Sequence, residues 1–413
     1  MSDWKEKILG ELVSFSKGKL TKQSEFPVDG FIPLINTDAI NGKITSYAES
    51  NGAVICSKSD VLMLWDGERS GLVTIGYFGV VGSTFSKLRS VEFVDSTFLF
   101  YYLDDKFDWI QNQRTGTGVP HVPKNLDKIL WVKYPENKTT QRKIARILST
   151  ADAVIEKTQA AIAKYKAIKQ GMLHDLFTRG IDTKTGKLRP KYQDAPELYK
   201  ESKLGWIPKE WDIFQINECI DPVMSNVDKH VYENEIKILL CNYMDVYDNR
   251  YLSKNISFSN GSVNASEIQR FSLKPQDVII TKDSETPDDI AVPTVVIENI
   301  ENLICGYHLC ILRSKDLQRL NGEFLMLQLQ IQEINNQFAR KANGSTRYGL
   351  TIDAIEKVYI KIPKMINEQI EIAHRLKTFE NKIQTEQNYL HKLQQIKAGL
   401  MADLLSGKKE ISL

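Results

Sequence analysis

The sequence predicts an α+β architecture: two mixed α/β domains, each followed by a long helix, with the helices paired antiparallel as a coiled coil of internal pseudo-two-fold character. Three observations predict it. Residues 141–180 and 369–408 are one segment written twice, matched without a gap at an offset of 369 − 141 = 228 residues. Each copy carries a single apolar stripe, and each follows a stretch of short β-type runs broken by turns.

The repeat is specific in its residues. Gln141, Ile144, Ala145, Leu148, Ile155, Ile168, Lys169, Gly171 and Leu176 return as Gln369, Ile372, Ala373, Leu376, Ile383, Ile396, Lys397, Gly399 and Leu404. The register extends upstream, since Lys133, Pro135, Gly116 and Thr117 match Lys361, Pro363, Gly344 and Ser345. A repeat of about half the chain follows. The fronts also correspond: Trp4 resembles Trp211, now at 211 − 4 = 207, so the second half holds 228 − 207 = 21 extra residues before its long helix. The ends are shared, and the middles are the stretch least alike.

In the two long segments the stripe runs through Ile144, Leu148, Ile155, Thr158, Ile162, Tyr165, Ile168 and Leu176, and through Ile372, Leu376, Ile383, Glu386, Leu390, Leu393, Ile396 and Leu404. Steps of three and four are helical. Both copies take an extra step of three into Ile168 and Ile396, and both place a polar residue at the same stripe position, Thr158 or Glu386. Thr139 and Asn367 align as N-caps, and glycines at 180 and 407 close the ends, giving helices of roughly 37 residues, about 55 Å long. A lone helix with one apolar stripe is unstable in water, so the copies pack on each other.

The predicted domains are 1–138, a long helix 139–180, a connector 181–210, a second domain 211–366 and a second long helix 367–413. The connector reads as charged turns around Arg189, Pro190 and Lys191 that run back along the helix to the second domain. In the domains, β-type runs fall at 60–65, 71–82 and 128–135, then at 236–247, 276–282, 294–300 and 357–363. Helical runs fall at 96–109 and 321–341.

Composition excludes several classes. With 42% apolar and 26% charged residues over 413, this is an ordinary globular chain. No run of about 18 apolar residues offers a membrane span, and MSDWKEKIL lacks a secretory core, so the expected place is cytoplasmic, with no membrane partner. Five cysteines without a repeated CxxC argue for reduced thiols. Cys305, His308 and Cys310 lie in an apolar run that reads as a buried strand, not a metal site. Net charge is +2, from 54 Lys and Arg against 52 Asp and Glu, too balanced to announce nucleic acid by itself. Residues 183–187, TKTGK, lack the spacing of a phosphate loop. No catalytic constellation stands out, including GxGxxG, GxSxG, HExxH and an Asn/Asp-Pro-Pro-aromatic tetrad. The chain reads as no enzyme on its own, with no catalytic residue, no metal and no cofactor.

Two unlike α/β domains, each followed by a copy of one long helix, resemble the specificity subunits of type I restriction-modification enzymes. The opening tryptophans, the glycine turns at 116 and 344, the exits at Pro135 and Pro363 and the two helices carry the resemblance across the whole chain. It implies that each domain is a target recognition domain reading one half of a bipartite, asymmetric double-stranded DNA site. It also implies that the helices set the spacer and dock two modification (methyltransferase) subunits. S-adenosylmethionine then sits on the modification subunits, and ATP and Mg sit on restriction (translocase/nuclease) subunits where these join. The rival reading is a structural adaptor whose coiled coil joins protein partners.

Base reading needs polar side chains on loops that reach a groove. In the first domain the candidate loops hold Trp65 and Arg69, and Arg114, Thr115, Thr117 and His121. In the second they hold Lys282 and Thr286, and Arg340, Lys341, Asn343, Ser345, Thr346, Arg347 and Tyr348.

Overall fold

The computed structural model describes residues 4–116 and 118–408, and the chain divides into two compact units, residues 1–161 with 386–413 and residues 162–385. In the first unit, strand Trp4–Ile8 pairs antiparallel with Trp131–Pro135, which brings the start of the domain to its exit. A four-stranded sheet follows in the order Val13–Lys17, Phe85–Ser90, Val61–Leu64, Val73–Thr74. A second sheet is built around the parallel pair Phe31–Ile35 and Gly79–Val81.

The second unit repeats this skeleton. Trp211–Gln215 pairs with Tyr359–Pro363. Its central sheet runs Ile220–Met224, Leu309–Ser314, Val278–Thr281, Pro293–Val296, with Tyr251–Leu252 added at the edge. Ile236–Cys241 and Leu303–Cys305 form the parallel pair. The middles are therefore alike in topology although unlike in sequence.

The 21 extra residues can now be placed. Gly18 and Ser225 make the same ladder bond, to Phe85 and Leu309, at an offset of 207. Trp65 and Lys282, bonded to the carbonyls of Thr84 and His308, stand 217 apart. Gly82 and Gly306, bonded to Ile35 and Cys241, stand 224 apart, and Thr115 and Asn343 stand 228 apart. The insertion thus comes in steps of ten, seven and four, all between shared strands.

Two local expectations are corrected. Residues 236–247 are not one β run: the strand ends at Cys241 and Tyr243–Asp248 is helical, because Asn242 and Asp245 form a capping box. The runs at 96–109 and 321–341 each break into two helices, Ser96–Asp105 with Phe107–Asn112, and Gly322–Leu329 with Gln332–Lys341.

The long helices span Lys138–Arg179 (42 residues) and Ile366–Leu404 (39 residues), longer than the spacing of candidate caps suggests. Thr139 is not the cap: the Asn137 side chain accepts its N–H, and the Asn137 carbonyl accepts from Thr140 and Gln141. Asn367 likewise lies inside its helix, and the Met365 carbonyl accepts from Glu368. Both helices end toward glycines of positive φ, +64° at Gly180 and +75° at Gly407.

Within each unit the two helical segments run antiparallel. In the first, Ile144 and Leu148 share a core with Leu404 and Leu405, and Lys397 Nζ lies 2.6 Å from Asp152. In the second, Leu176 and Phe177 share a core with Ile372 and Leu376, Tyr165 packs edge-on to Phe379, and Lys169 lies 2.7 Å from Glu380. The stripe expectation fails at one repeated place: Ile168 is 41% exposed and Ile396 48%. Lys169 and Lys397 turn inward there instead, each onto a carboxylate, and both the lysines and the carboxylates are themselves 228 apart. The extra step of three is where the stripe leaves the heptad seam. At the shared polar position, Thr158 is buried and donates its hydroxyl to Val154.

A buried glutamine locks each long helix to its domain. Gln141 accepts from the Asp95 N–H and donates to the Phe93 and Pro135 carbonyls. Gln369 does the same with Asn321, Arg319 and Pro363. Each central sheet also holds a buried carboxylate on a guanidinium, Asp60 with Arg89 and Asp277 with Arg313.

The connector does not run back along the helix as charged turns. It folds as two hairpins, Ile181–Asp182 with Lys187–Leu188 and Tyr199–Ser202 with Gly205–Pro208. It delivers Trp211 against Gly180, where an added Cβ would lie 2.8 Å from the indole. Arg189 is buried and pairs bidentately with buried Glu368, which also accepts from the Trp211 indole and the Ile181 N–H. All five cysteines are free and buried, as the strand reading of Cys305 and Cys310 expects. Among the described residues no helix is long and apolar enough to cross a membrane, and no group of three His, Cys, Asp or Glu is placed to hold a metal.

Candidate nucleic-acid interface

The structure brings the predicted loops together in pairs. In the first unit, the chain leaving strand Val61–Leu64 passes Trp65 and Asp66 and meets the turn at Gly116. Val122 donates its N–H to Trp65 and Gly67 to Pro120, while Thr115 and His121 exchange both backbone bonds. Gly116 has φ +106°, and a Cβ there would lie 2.7 Å from the Val119 carbonyl, so the turn requires glycine.

The second unit repeats the arrangement. Leu350 donates to Lys282, Asp283 pairs with Gly349, and Asn343 exchanges both backbone bonds with Gly349. Gly344 has φ +148°, and a Cβ would lie 2.0 Å from the Arg347 carbonyl. Ser284 pairs with Tyr348, and its hydroxyl donates to the carbonyl of Thr286, fixing the start of the next loop.

The individual candidates differ in what they are free to do. Arg69, Asn343, Ser345, Thr346 and Arg347 are exposed on their loops. Arg340 is exposed and Lys341 half-buried at the end of helix Gln332–Lys341, where the cluster begins. Arg114 is spent within the cluster, donating to the Gln111 carbonyl at 2.8 Å and to the Glu68 carbonyl at 2.7 Å, so it ties its loop to the Arg69 loop. Trp65 is half-buried, edge-on to Phe15 at 6.0 Å. Thr115 and Thr286 are exposed, and Thr117 lies outside the described residues.

Sequence reading missed part of each cluster. Asp66 accepts from Lys17 Nζ at 2.6 Å and faces His121 Nδ1 at 2.8 Å. Burial opposes ionisation of Asp66, but these two partners outweigh it and hold the carboxyl below its usual range. Lys17 Nζ also lies 5.7 Å above the Trp65 ring. In the second unit, Asp283 faces His308 Nδ1 at 2.6 Å, and Lys282 Nζ lies 4.4 Å above Tyr307. Lys17 gave no sequence signal, being remote from its loop. His308 did: Gly306 interrupts the apolar run, and the chain turns at residues 306–308, so that Tyr307 and His308 emerge while Cys305 and Cys310 stay buried.

The site is thus a pair of repeated loop clusters, each a glycine turn laid against a strand end and dressed with cationic, amide, hydroxyl and imidazole groups. The model of the family described as "Type I restriction modification DNA specificity domain" matches residues 1–165 and 208–396, one match per repeat. The chain belongs to that family. Among relatives of this specificity family, the type I restriction enzyme MjaVIII specificity subunit of Methanocaldococcus jannaschii is 24% identical, covering 98% of this chain and 93% of its own. The type I restriction enzyme EcoDI specificity subunit of Escherichia coli is 21% identical over 66% of this chain and 63% of its own. The S subunit of a type I restriction-modification system from M. genitalium shares the fold, with a TM-score of 0.60, 14% identity and coverage of 99% of this chain and 97% of that one.

Proposed function

We propose that the chain is the DNA sequence-specificity subunit of a type I restriction-modification complex, in which the cluster at Gly116 and the cluster at Gly344 read two different halves of a bipartite double-stranded DNA site. The observation that carries this is one loop scaffold built twice, at equivalent places in the repeat, with different exposed side chains on each copy. A shared scaffold serves a shared task, and different side chains serve different half-sites. Arg340, Arg347 and Arg69 supply cations for phosphate or guanine, and Asn343, Ser345 and Thr346 supply adaptable hydrogen bonding.

The long helices serve as spacer and as docking rails for two modification subunits. Support comes from the repeated exposure of Ile168 and Ile396 beside inward-turned lysines: the same apolar residue is offered once per repeat, as two copies of one partner require. The methyl donor then belongs to the modification subunits and the nucleotide to restriction subunits.

The test is to assemble the chain with modification subunits and measure binding to duplexes differing in one half-site. Arg340→Ala with Arg347→Ala should weaken discrimination at one half-site and leave the other unchanged. Unchanged specificity at both would remove this loop from the reading. Partner binding that is insensitive to salt, with no complex formed on DNA, would favour a protein adaptor instead.

A further inference from the structure

We propose that His121 and His308 are base-reading side chains, one per half-site, each held by a carboxylate so that its outer ring nitrogen accepts a hydrogen bond from an exocyclic amine on a base edge. This rests on the reading that both loop clusters face DNA.

Asp66 and Asp283 occupy equivalent places in the repeat. Each lies two residues past its central strand, and each pairs with a residue of the glycine turn, 121 or 349, which are themselves 228 apart. Their imidazoles do not correspond. The counterpart of His121 is Gly349, and the counterpart of His308, through the shared bonds Trp65 to Thr84 and Lys282 to His308, is Thr84. One carboxylate position thus receives a histidine from the glycine turn in one domain and from the turn at 306–308 in the other.

The surroundings converge in the same way. Beside His121 stand Lys17 and Trp65, and beside His308 stand Lys282 and Tyr307, in each case a lysine over an aromatic ring. Trp65 and Lys282 share one position in the repeat, so that position supplies the aromatic in one domain and the lysine in the other. A purely architectural need would be met by one residue at one place. A set rebuilt from different strands, with its imidazole arriving from a different direction, is what two unlike half-sites ask of a common scaffold.

The chemistry follows from the carboxylate. An ionised Asp only accepts, so the Nδ1 facing it, at 2.8 Å for His121 and 2.6 Å for His308, carries a proton. In the neutral ring this leaves the Nε2 lone pair outward. The side chains are 46% and 35% exposed, so the outer edge is reachable. An acceptor in the major groove matches the N6 amine of adenine or the N4 amine of cytosine. Asp66 and Asp283 are then positioning residues: they fix ring orientation and tautomer.

The experiment uses the full chain assembled with its modification subunits and a randomised duplex library, with bound sequences read out. Enrichment of a bipartite motif by the unaltered complex tests the underlying reading, and its absence would remove that reading and this proposal together. Given such a motif, His121→Ala should lose roughly tenfold to a hundredfold of discrimination at one position of one half-site, and His308→Ala the same in the other half-site. Asp66→Asn and Asp283→Asn should blur those same positions. A duplex with purine for adenine, or 2-pyrimidinone for cytosine, at the affected position removes only the amine; it should weaken the unaltered complex by the same factor and leave the alanine variant indifferent. Should the alanine variants fail to assemble, His121→Gln and His308→Gln keep a polar group near Nε2 and should change preference at the same positions. Motifs unchanged in both histidine variants would overturn the proposal. So would an equal fall in affinity for every duplex with base preference intact, since that marks phosphate contact.

Discussion

At the scale of single residues, the same contacts made twice say which side chains the frame cannot lose. Gln141 and Gln369, both fully buried, each bond two carbonyls and one N–H of their own domain. Replacing Gln141 by Leu keeps the volume and removes every bond, so unfolding of the first unit should be easier by about 2–5 kcal/mol, read by chemical denaturation. Gln369→Leu should act equally on the second unit, and a variant of unchanged midpoint would show that the clamp is dispensable. Asp60 supplies a pH test. Burial alone would raise its pKa, yet bonds from Arg89 and from the Ser57 N–H and hydroxyl outweigh that and bring it from 3.8 to about 2. A depressed carboxylate stabilises the fold above its ordinary value and stops doing so as pH falls through about 2. Asp60→Asn should therefore cost about 2 kcal/mol near neutrality, and the gap from the unaltered protein should close between pH 4 and pH 2. A gap independent of pH would assign the loss to packing.

At the scale of elements, what was legible followed a rule: periodic and repeated features could be read, and features set by distant partners could not. The long helices, the strands at Val61–Leu64 and Tyr359–Pro363, and the glycine turns were visible because their signals are local or duplicated. The helical start at Tyr243 was hidden because an apolar run of mixed residues suits strand and helix alike until the Asn242 capping box is weighed. The connector departs from its expected charged turns because Arg189, a surface charge by its sequence, is turned inward by Glu368, 179 residues away. His121 and Lys282 lie in the candidate loops and His308 beside a glycine that breaks its run, whereas Lys17 reaches its carboxylate from a remote strand that carries no local signal. The glycine turn itself is testable. Gly344→Ala places a Cβ 2.0 Å from the Arg347 carbonyl at a φ of +148°, so the loop must deform. Discrimination at one half-site should fall while the melting temperature of the first unit stays put; retention of both half-site preferences would show that the turn is not part of the reader.

At the scale of the whole molecule, the repeat separates what holds the domains from what they read. Every backbone partner of Gln141 in the first domain has its counterpart for Gln369 in the second: Pro135 and Pro363, Phe93 and Arg319, Asp95 and Asn321. A second domain, residues 211–363, set in place of residues 4–135 should therefore be gripped by Gln141 through the same three atoms. Not every contact transfers: Lys377, which pairs with Glu323, has Ser149 as its counterpart in the central helix, and Trp211 donates to Glu368, whose counterpart is the buried Thr140, so the indole N–H loses its acceptor at a cost of about 1–3 kcal/mol. The hybrid should fold with that deficit. It would then carry two identical readers, one per repeat, and if the repeats are related by a two-fold axis, as the proposed function requires, identical readers demand a palindromic site. Selection from randomised duplexes should return two copies of the half-site that the second domain reads in the unaltered chain, inverted about a non-specific gap. A hybrid that folds but selects an asymmetric motif would place part of the specificity outside the exchanged domain, in the helices or the connector.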